Sequence, residues 1–241
     1  MDRSRREARI ERRRAEQRRS QMTWLGIIVV VAVAVTGLLI YGNRVRPPQR
    51  TPGEAGYTQK NGTSLGDPAA PVTFIEVADF QCPVCKTWYD TVEAQVIDTY
   101  VNSGDVYYTY QVVGFLDSPN LGSNESTQSA EAAYCAADQN KFWEYHDVLF
   151  ANQAGENLGA FSDNRLIAFA ESINLNMDTF RSCFLNDEKA ELVTQTETAV
   201  NSLGINATPS FVINGKVMQG LQSFPQIQAE IEAALAAAGA N

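Results

Sequence analysis

The stretch Phe80-Gln81-Cys82-Pro83-Val84-Cys85 restricts the fold of this chain more than any other. It follows the β-branched apolar run Val72–Ala78, read as a strand buried on both faces. It precedes residues 86–100, where Trp88, Val92, Val96, Ile97 and Tyr100 recur at helical spacing. Two cysteines separated by two residues, where a strand gives way to a helix, put the first sulfur on the helix's opening turn. Unpaired N–H groups and the positive end of the helix dipole favour a thiolate there, so Cys82 is expected to have a depressed pKa and to attack. Cys85, about one turn further in, is placed to resolve a mixed disulfide formed at Cys82. Pro83 suits a first helical position, whose N–H has no partner in any case. The dipole alone supplies roughly 0.3–1 kcal/mol, under one pKa unit, so a strongly acidic Cys82 requires direct N–H···S bonds.

The charge is split along the chain. Residues 1–50 carry twelve Arg against four acids, +8, which leaves −17 on the other 191 residues of a chain whose net charge is −9. Residues 1–21 form an Arg-rich head, and residues 22–41, opening at Met22, are 20 residues without a charge. As a helix at about 1.5 Å per residue this run spans roughly 30 Å, a bilayer core. Trp24 and Tyr41 sit near its ends, where headgroups suit aromatic rings. The run exceeds a signal peptide's apolar region and is followed by Tyr41-Gly42-Asn43-Arg44 rather than a small-x-small cleavage site, so it is read as an uncleaved single-pass anchor. The positive-inside rule then places the N-terminus in the cytoplasm and the rest of the chain across the cell membrane. That side is commonly oxidising, and four cysteines there are read as two disulfide pairs rather than metal ligands. An acidic domain of −17 argues against nucleic acid as a partner.

Residues 42–70 hold Pro47, Pro48, Pro52 and several Gly without an apolar period, and a flexible linker is placed at 42–57. After the first strand and helix, residues 106–113 read as a second strand. Helical periodicity follows over 126–138, 141–151, 164–173, 177–185 and 187–203. Phe211-Val212-Ile213 and Lys216-Val217-Met218 flank Asn214-Gly215, a strong hairpin signal, and an Ala-rich helix closes the chain over 224–238. The order β-α-β, helices, β-β-α makes one sheet flanked by helices, an α/β fold with an all-helical insertion at about 117–186.

Three segments together resemble the DsbA-like branch of the thioredoxin superfamily, extracytoplasmic thiol-disulfide oxidoreductases with a helical domain inserted in a thioredoxin fold. They are Val77-Ala78-Asp79-Phe80-Gln81-Cys82-Pro83-Val84-Cys85, Lys141-Phe142-Trp143-Glu144-Tyr145-His146-Asp147 and Gly204-Ile205-Asn206-Ala207-Thr208-Pro209-Ser210-Phe211. The resemblance covers about residues 58–239, and the domain is placed at 58–241. It implies that Pro209 is cis and lies against the cysteine pair, with Thr208 and Pro209 lining the substrate groove. It also gives Glu76, six residues before Cys82, a role: a buried acid of raised pKa exchanging a proton with Cys85, the alternative being a strand-end glutamate reaching solvent. Asp79, nearer the strand end, is expected to have a local hydrogen-bonding role at most. Some members carry a second cysteine pair, so Cys135 and Cys183 are read as a structural disulfide closing the insertion; a second redox couple and two free thiols stay open. His146, the only histidine, is read as a packing or surface residue. Val84 stands where related dithiol motifs have histidine, which leaves the oxidising strength open.

The reading is a membrane-anchored dithiol oxidase that passes the Cys82–Cys85 disulfide to exported protein thiols and is recharged by a quinone-linked membrane thiol oxidase. It calls for no cofactor. A reductase or isomerase on the same scaffold is the alternative, and a metal-binding chaperone using Cys82 and Cys85 a remote one.

Overall fold

The computed structural model describes residues 3–42, 44–47 and 57–239. It divides into two compact units, Met1–Arg44 and Val45–Asn241. In the first, α1 (Arg3–Gly42) is one helix of 40 residues. Its segment Gln21–Leu38 has a mean hydropathy of 2.0 and is wholly unburied, long and apolar enough to cross a membrane. The Arg-rich head continues the same helix, because Arg, Glu, Gln and Ala are all strong helix formers. Most of the linker expected at 42–57 lies outside the described residues.

In the second unit the main chain of Arg46 pairs with the Asn152 side chain: its N–H donates to Oδ1 at 2.7 Å, and Nδ2 donates to its carbonyl at 2.8 Å. The described residues form a sheet of β1 (Ser64–Leu65), β2 (Val72–Ala78), β3 (Val106–Val112), β4 (Ser210–Ile213) and β5 (Lys216–Gln219), in the order β1-β3-β2-β4-β5. β2 and β3 run parallel and the other pairs antiparallel. The parallel pair needs a crossover, which the helix after β2 supplies. That helix opens as α2 (Pro83–Trp88) and runs through a π segment (Tyr89–Glu93), α3 (Ala94–Val96) and a second π segment (Ile97–Val101). The sequence suggested one regular α stripe. Each π turn takes in an extra residue, so Tyr89, Val92 and Glu93 can all be buried together.

The expected hairpin forms, with Asn214 and Gly215 both at positive φ, 43° and 87°, as a two-residue turn between right-twisted strands requires. Asn214 also ties the turn to β2, its Oδ1 accepting from the N–H and hydroxyl of Thr73 at 2.8 and 3.0 Å. This end of β2 is less enclosed than expected: Thr73 is exposed and Ile75 half-buried, and only from Glu76 onward are both faces covered.

The helical part comprises α4 (Glu125–Ala137), α5 (Phe142–Asn152), α6 (Asp163–Ser172) and α7 (Met177–Leu185), before α8 (Ala190–Ser202) returns to the sheet and α9 (Phe224–Gly239) closes it. Asn176 caps α7, its side chain accepting from the N–H groups of Asp178 and Thr179. A Cys135–Cys183 disulfide joins α4 to α7, with Cα atoms 5.9 Å apart. The core is aromatic where α5 meets the sheet: Phe80, Tyr110, Phe142, Trp143 and Phe150 are fully buried around His146. Each large apolar side chain removed from water contributes about 1.5–3 kcal/mol, so this interface fixes α5, and with it the end of β2, in place.

Candidate active site

β2 ends at Ala78, the chain turns through residues 79–82, and α2 begins at Pro83 with Cys82 as its N-cap. The cap has extended backbone angles (φ −67°, ψ 117°) and Pro83 occupies the first helical position, as its missing N–H allows. Both cysteines are free thiols and both are buried, Cys82 at 5 % exposure and Cys85 at none.

Their acidities are pulled apart. The Cys82 thiol is lowered from 9.0 to about 6, first by a hydrogen bond from Cys85, then by the Thr208 side chain and the N–H groups of Cys85 and Val84, which together outweigh its burial. Those N–H groups add to the helix dipole by proximity, without the closed N–H···S bonds expected from the sequence: Cys82 caps the helix with no side-chain hydrogen bond. Cys85 is pushed well above the ordinary thiol value, first by burial, then by its hydrogen bond to Cys82 and the Cys82 charge; the charge of Glu76 adds to the shift. One sulfur is therefore poised to ionise and its neighbour to keep its proton.

The Thr208-Pro209 bond is cis. The Thr208 carbonyl accepts from Cys82 Sγ at 3.4 Å, which brings the loop before β4 onto the cysteine pair. Val84 is 42 % exposed at the same surface. A cleft of about 630 Å³ lies between the later turns of the active-site helix, at Thr91, Val92 and Gln95, and residues 221–226, the end of the loop before α9 and that helix's first turn, which add Leu221 and Phe224. Glu76 is fully buried and accepts from Trp88 Nε1 at 2.9 Å and from the Tyr108 hydroxyl, so it is no strand-end residue reaching solvent. His146 is buried among the aromatic rings, with Nδ1 3.1 Å from Asp147 Oδ1 and Nε2 3.6 Å from Glu93 Oε1. Among the described residues no three His, Cys, Asp or Glu side chains gather as metal ligands would.

Sequence reasoning missed the residues that hold the turn. Asp79 is fully buried, not at an exposed strand end: its carboxylate accepts from Gln81 N–H (2.8 Å), Ser126 Oγ (2.8 Å) and Leu116 N–H (3.0 Å), and its carbonyl accepts from Cys82 N–H (3.0 Å). Burial lifts its carboxyl from 3.8 to about 7. Gln153, just past the end of α5, donates from Nε2 to the carbonyls of Phe80 (2.6 Å) and Cys82 (3.1 Å). Gln81 donates to Ser126 Oγ at 2.8 Å and accepts from the N–H of Asn157. The helical part thus grips the cysteine turn at several points. Ser126, Gln153 and Asn157 carry no local signal of this, because their partners lie 45 to 76 positions away.

A family model described as Thioredoxin matches residues 58–233. The probable disulfide bond formation protein D of Bacillus anthracis is 25% identical over 198 residues, spanning 80% of this chain and 88% of that protein. The Na(+)/H(+) antiporter NhaA 3 of Salinispora tropica is 31% identical over 173 residues, 72% of this chain but only 24% of the antiporter, so the chain spans about a quarter of that relative's length. The oxidised crystal structure of BdbD from Bacillus subtilis superposes with a TM-score of 0.66 at 24% identity, over 73% of this chain and 94% of that one.

Proposed function

Because this chain belongs to the thioredoxin family over residues 58–233, we propose that it is a protein thiol-disulfide oxidoreductase of the DsbA-like kind. In this reading α1 anchors it in the cell membrane, the domain lies on the extracytoplasmic side, and it works as a dithiol oxidase on exported proteins. The observation that carries it is the split between Cys82, held at about 6, and Cys85, held well above the ordinary thiol value.

The exchange balances as follows. A client thiolate attacks Cys82 Sγ of the Cys82–Cys85 disulfide, the S–S bond breaks, and Cys85 leaves with the electron pair. Burial makes a Cys85 thiolate costly, so it takes up a proton, for which Glu76 is the candidate donor through its buried position behind Trp88. A second client thiolate then attacks the client sulfur of the mixed disulfide and expels Cys82, a good leaving group because its thiolate is stabilised. The client gains a disulfide, the protein holds the dithiol, and a quinone-linked membrane thiol oxidase removes the two electrons. Thr208 and Pro209 line the path of an extended client segment.

A reductase or isomerase is the second reading. It draws on Val84, which leaves Cys82 without an imidazole neighbour in the motif, and on a Cys82 value nearer thioredoxin's about 7 than DsbA's about 3.5. The reduction potential of the Cys82–Cys85 couple decides. An oxidase requires a value clearly above thioredoxin's about −270 mV, and one at or below it transfers the protein to the reductase class.

A further inference from the structure

A proton that leaves Cys85 or Glu76 has to cross the core, because both side chains are fully buried. A polar line runs through it. Tyr110 is the register partner of Glu76 on β3, so their side chains stand next to each other on one face of the sheet. On its other side the Tyr110 ring lies 4.9 Å from that of His146, and Trp143 completes a triangle at 6.0 and 5.3 Å from the two. Tyr110 Oη, Trp143 Nε1 and His146 Nε2 are buried without a hydrogen-bond partner among the described residues, and three such atoms on neighbouring rings mark a polar seam in an aromatic contact. From His146 the line continues outward: Nδ1 is 3.1 Å from Asp147 Oδ1, which accepts from the hydroxyl of the half-buried Tyr57 at 2.6 Å. We propose that Tyr110, the Glu93–His146 pair and Asp147 form a relay that carries the Cys85 proton between Glu76 and the surface at Tyr57. This rests on the reading of Cys82 and Cys85 as the exchanging pair.

The Glu93–His146 pair holds the mobile proton. Glu93 is fully buried in the first π segment, with Oε1 3.6 Å from His146 Nε2, so the ring has a carboxylate oxygen at each nitrogen. A neutral imidazole has one donor and one acceptor. With Nδ1–H given to Asp147, an acceptor nitrogen faces an acceptor oxygen unless a proton lies between Nε2 and Glu93, on whichever of them holds it. Tyr108 and Tyr110 keep their hydroxyl protons, pushed well above the ordinary phenol value by burial first and then by the charge of Glu76. Tyr110 therefore passes a proton by accepting one and releasing its own, and its hydroxyl hydrogen, bound to no acceptor, can turn toward either neighbour. When the dithiol is reoxidised, the Cys82 thiolate attacks the oxidant's disulfide and expels one thiolate. Cys85 gives its proton to Glu76, and its sulfur attacks Cys82 Sγ of the mixed disulfide and expels the second thiolate. A proton then moves from Glu76 through Tyr110 to the Glu93–His146 pair, and one leaves through Asp147 and Tyr57 to water. Reduction runs the line inward. The 3.6 Å step is within the reach of transfer through one water.

The test is Tyr110→Phe in the full chain in detergent. The change removes one oxygen that bonds to nothing in the fold, so a purely structural Tyr110 predicts an equally or more stable protein with unaltered exchange. The reduced chain is mixed with oxidised glutathione at concentrations where the rate no longer depends on it, and closure of the disulfide by Cys85 is followed by tryptophan fluorescence in H2O and in D2O. Closure is expected to slow about tenfold and its solvent isotope effect to rise above that of wild type, while the reduction potential stays put, since a relay changes rates and not end states. A rate within about twofold of wild type with an unaltered isotope effect overturns the proposal. So does a slower rate with a shifted potential, which a disturbed cysteine pair would give. Should Tyr110→Phe fail to fold, ¹⁵N NMR of the wild type decides: His146 is the only histidine in the chain, its Nδ1 must carry a proton, and a bare Nδ1 overturns the proposal. Wild-type closure separates the two failures. A chain that does not react with the disulfide at all ends the reading of the pair and the relay with it, whereas normal wild-type closure with an indifferent Tyr110→Phe ends the relay alone.

Discussion

The chain contains two cysteine pairs, and burial does not separate them: Cys82, Cys85, Cys135 and Cys183 are all at most 5 % exposed. Cys135 lies in the last turns of α4, among Ala132, Ala133 and Ala136, and bonds to Cys183 on α7. Helix-interior N–H groups are already spent on carbonyls four residues back, so little there can stabilise a thiolate. Cys82 stands at a helix start, where N–H groups are unspent and help lower its pKa. In the proposed reading, access to unsatisfied donors is what makes one pair exchangeable and the other a brace.

The largest effect expected from that difference is on turnover. Cys82→Ser should reduce disulfide transfer to a model dithiol peptide by about a thousandfold or more, since the thiolate is the attacking and leaving species. Cys85→Ser should leave attack possible and trap mixed disulfides, visible on non-reducing gels. Replacing both Cys135 and Cys183 by Ser should leave the rate within about threefold if that pair is a brace. Loss of turnover in a double variant that stays folded would make it a second redox couple.

Stability should respond the other way round. The Cys135–Cys183 bond closes a loop of 48 positions, worth about 4 kcal/mol in the chain-entropy account. Urea unfolding of the domain with and without that bond measures it; a change under about 1 kcal/mol would mean that the packing of α4 on α7 already holds the insertion. Reducing Cys82–Cys85 opens no comparable loop, and its effect on stability should depend on pH instead. The folded Cys82 value lies below its unfolded one. Its stabilisation of the reduced state is therefore present above the ordinary thiol pKa and lost as pH falls through about 6. Alkylation by iodoacetamide should follow the same midpoint, levelling off above about pH 7, whereas an ordinary thiol keeps accelerating to about pH 9.

The two pairs also differ in how far they can be read from sequence. The strand, the CxxC turn, the helix after it and the Asn214-Gly215 hairpin are set by neighbours within a few positions, and periodicity found them along with the helices from α4 to α9. The cis bond at Pro209 came from resemblance, since nothing local demands it. The grip on the turn was invisible: Asp79 gives the same local signal whether it caps a turn in water or is buried under Ser126 and Leu116. Gln153 looks like an ordinary polar residue after a helix. The π segments were missed for a related reason, because an extra residue per turn is imposed by packing around Tyr89 and Glu93 and leaves the apolar spacing of residues 86–100 nearly helical.

The smallest expected effect concerns a parallel between the pairs. Each has an acid one turn or less away that is lifted to about 7: Asp79 beside Cys82, and Glu131 one helical turn before Cys135. Burial raises Glu131 first, and Asp187, four residues after Cys183, adds its charge. At the open pair such an acid has an ionisable sulfur to act on; at the closed pair it has none, because a disulfide does not titrate. Glu131 should therefore affect stability alone. Its folded value lies above its unfolded one, so its contribution is fully present below about pH 4 and is lost as pH rises through about 7. Glu131→Gln should flatten that part of the stability curve, raising the unfolding free energy at pH 8 by under about 1 kcal/mol, with no change in the Cys82 alkylation profile. A shifted alkylation profile would show that the two pairs communicate through α4, the helix carrying both Ser126 and Cys135.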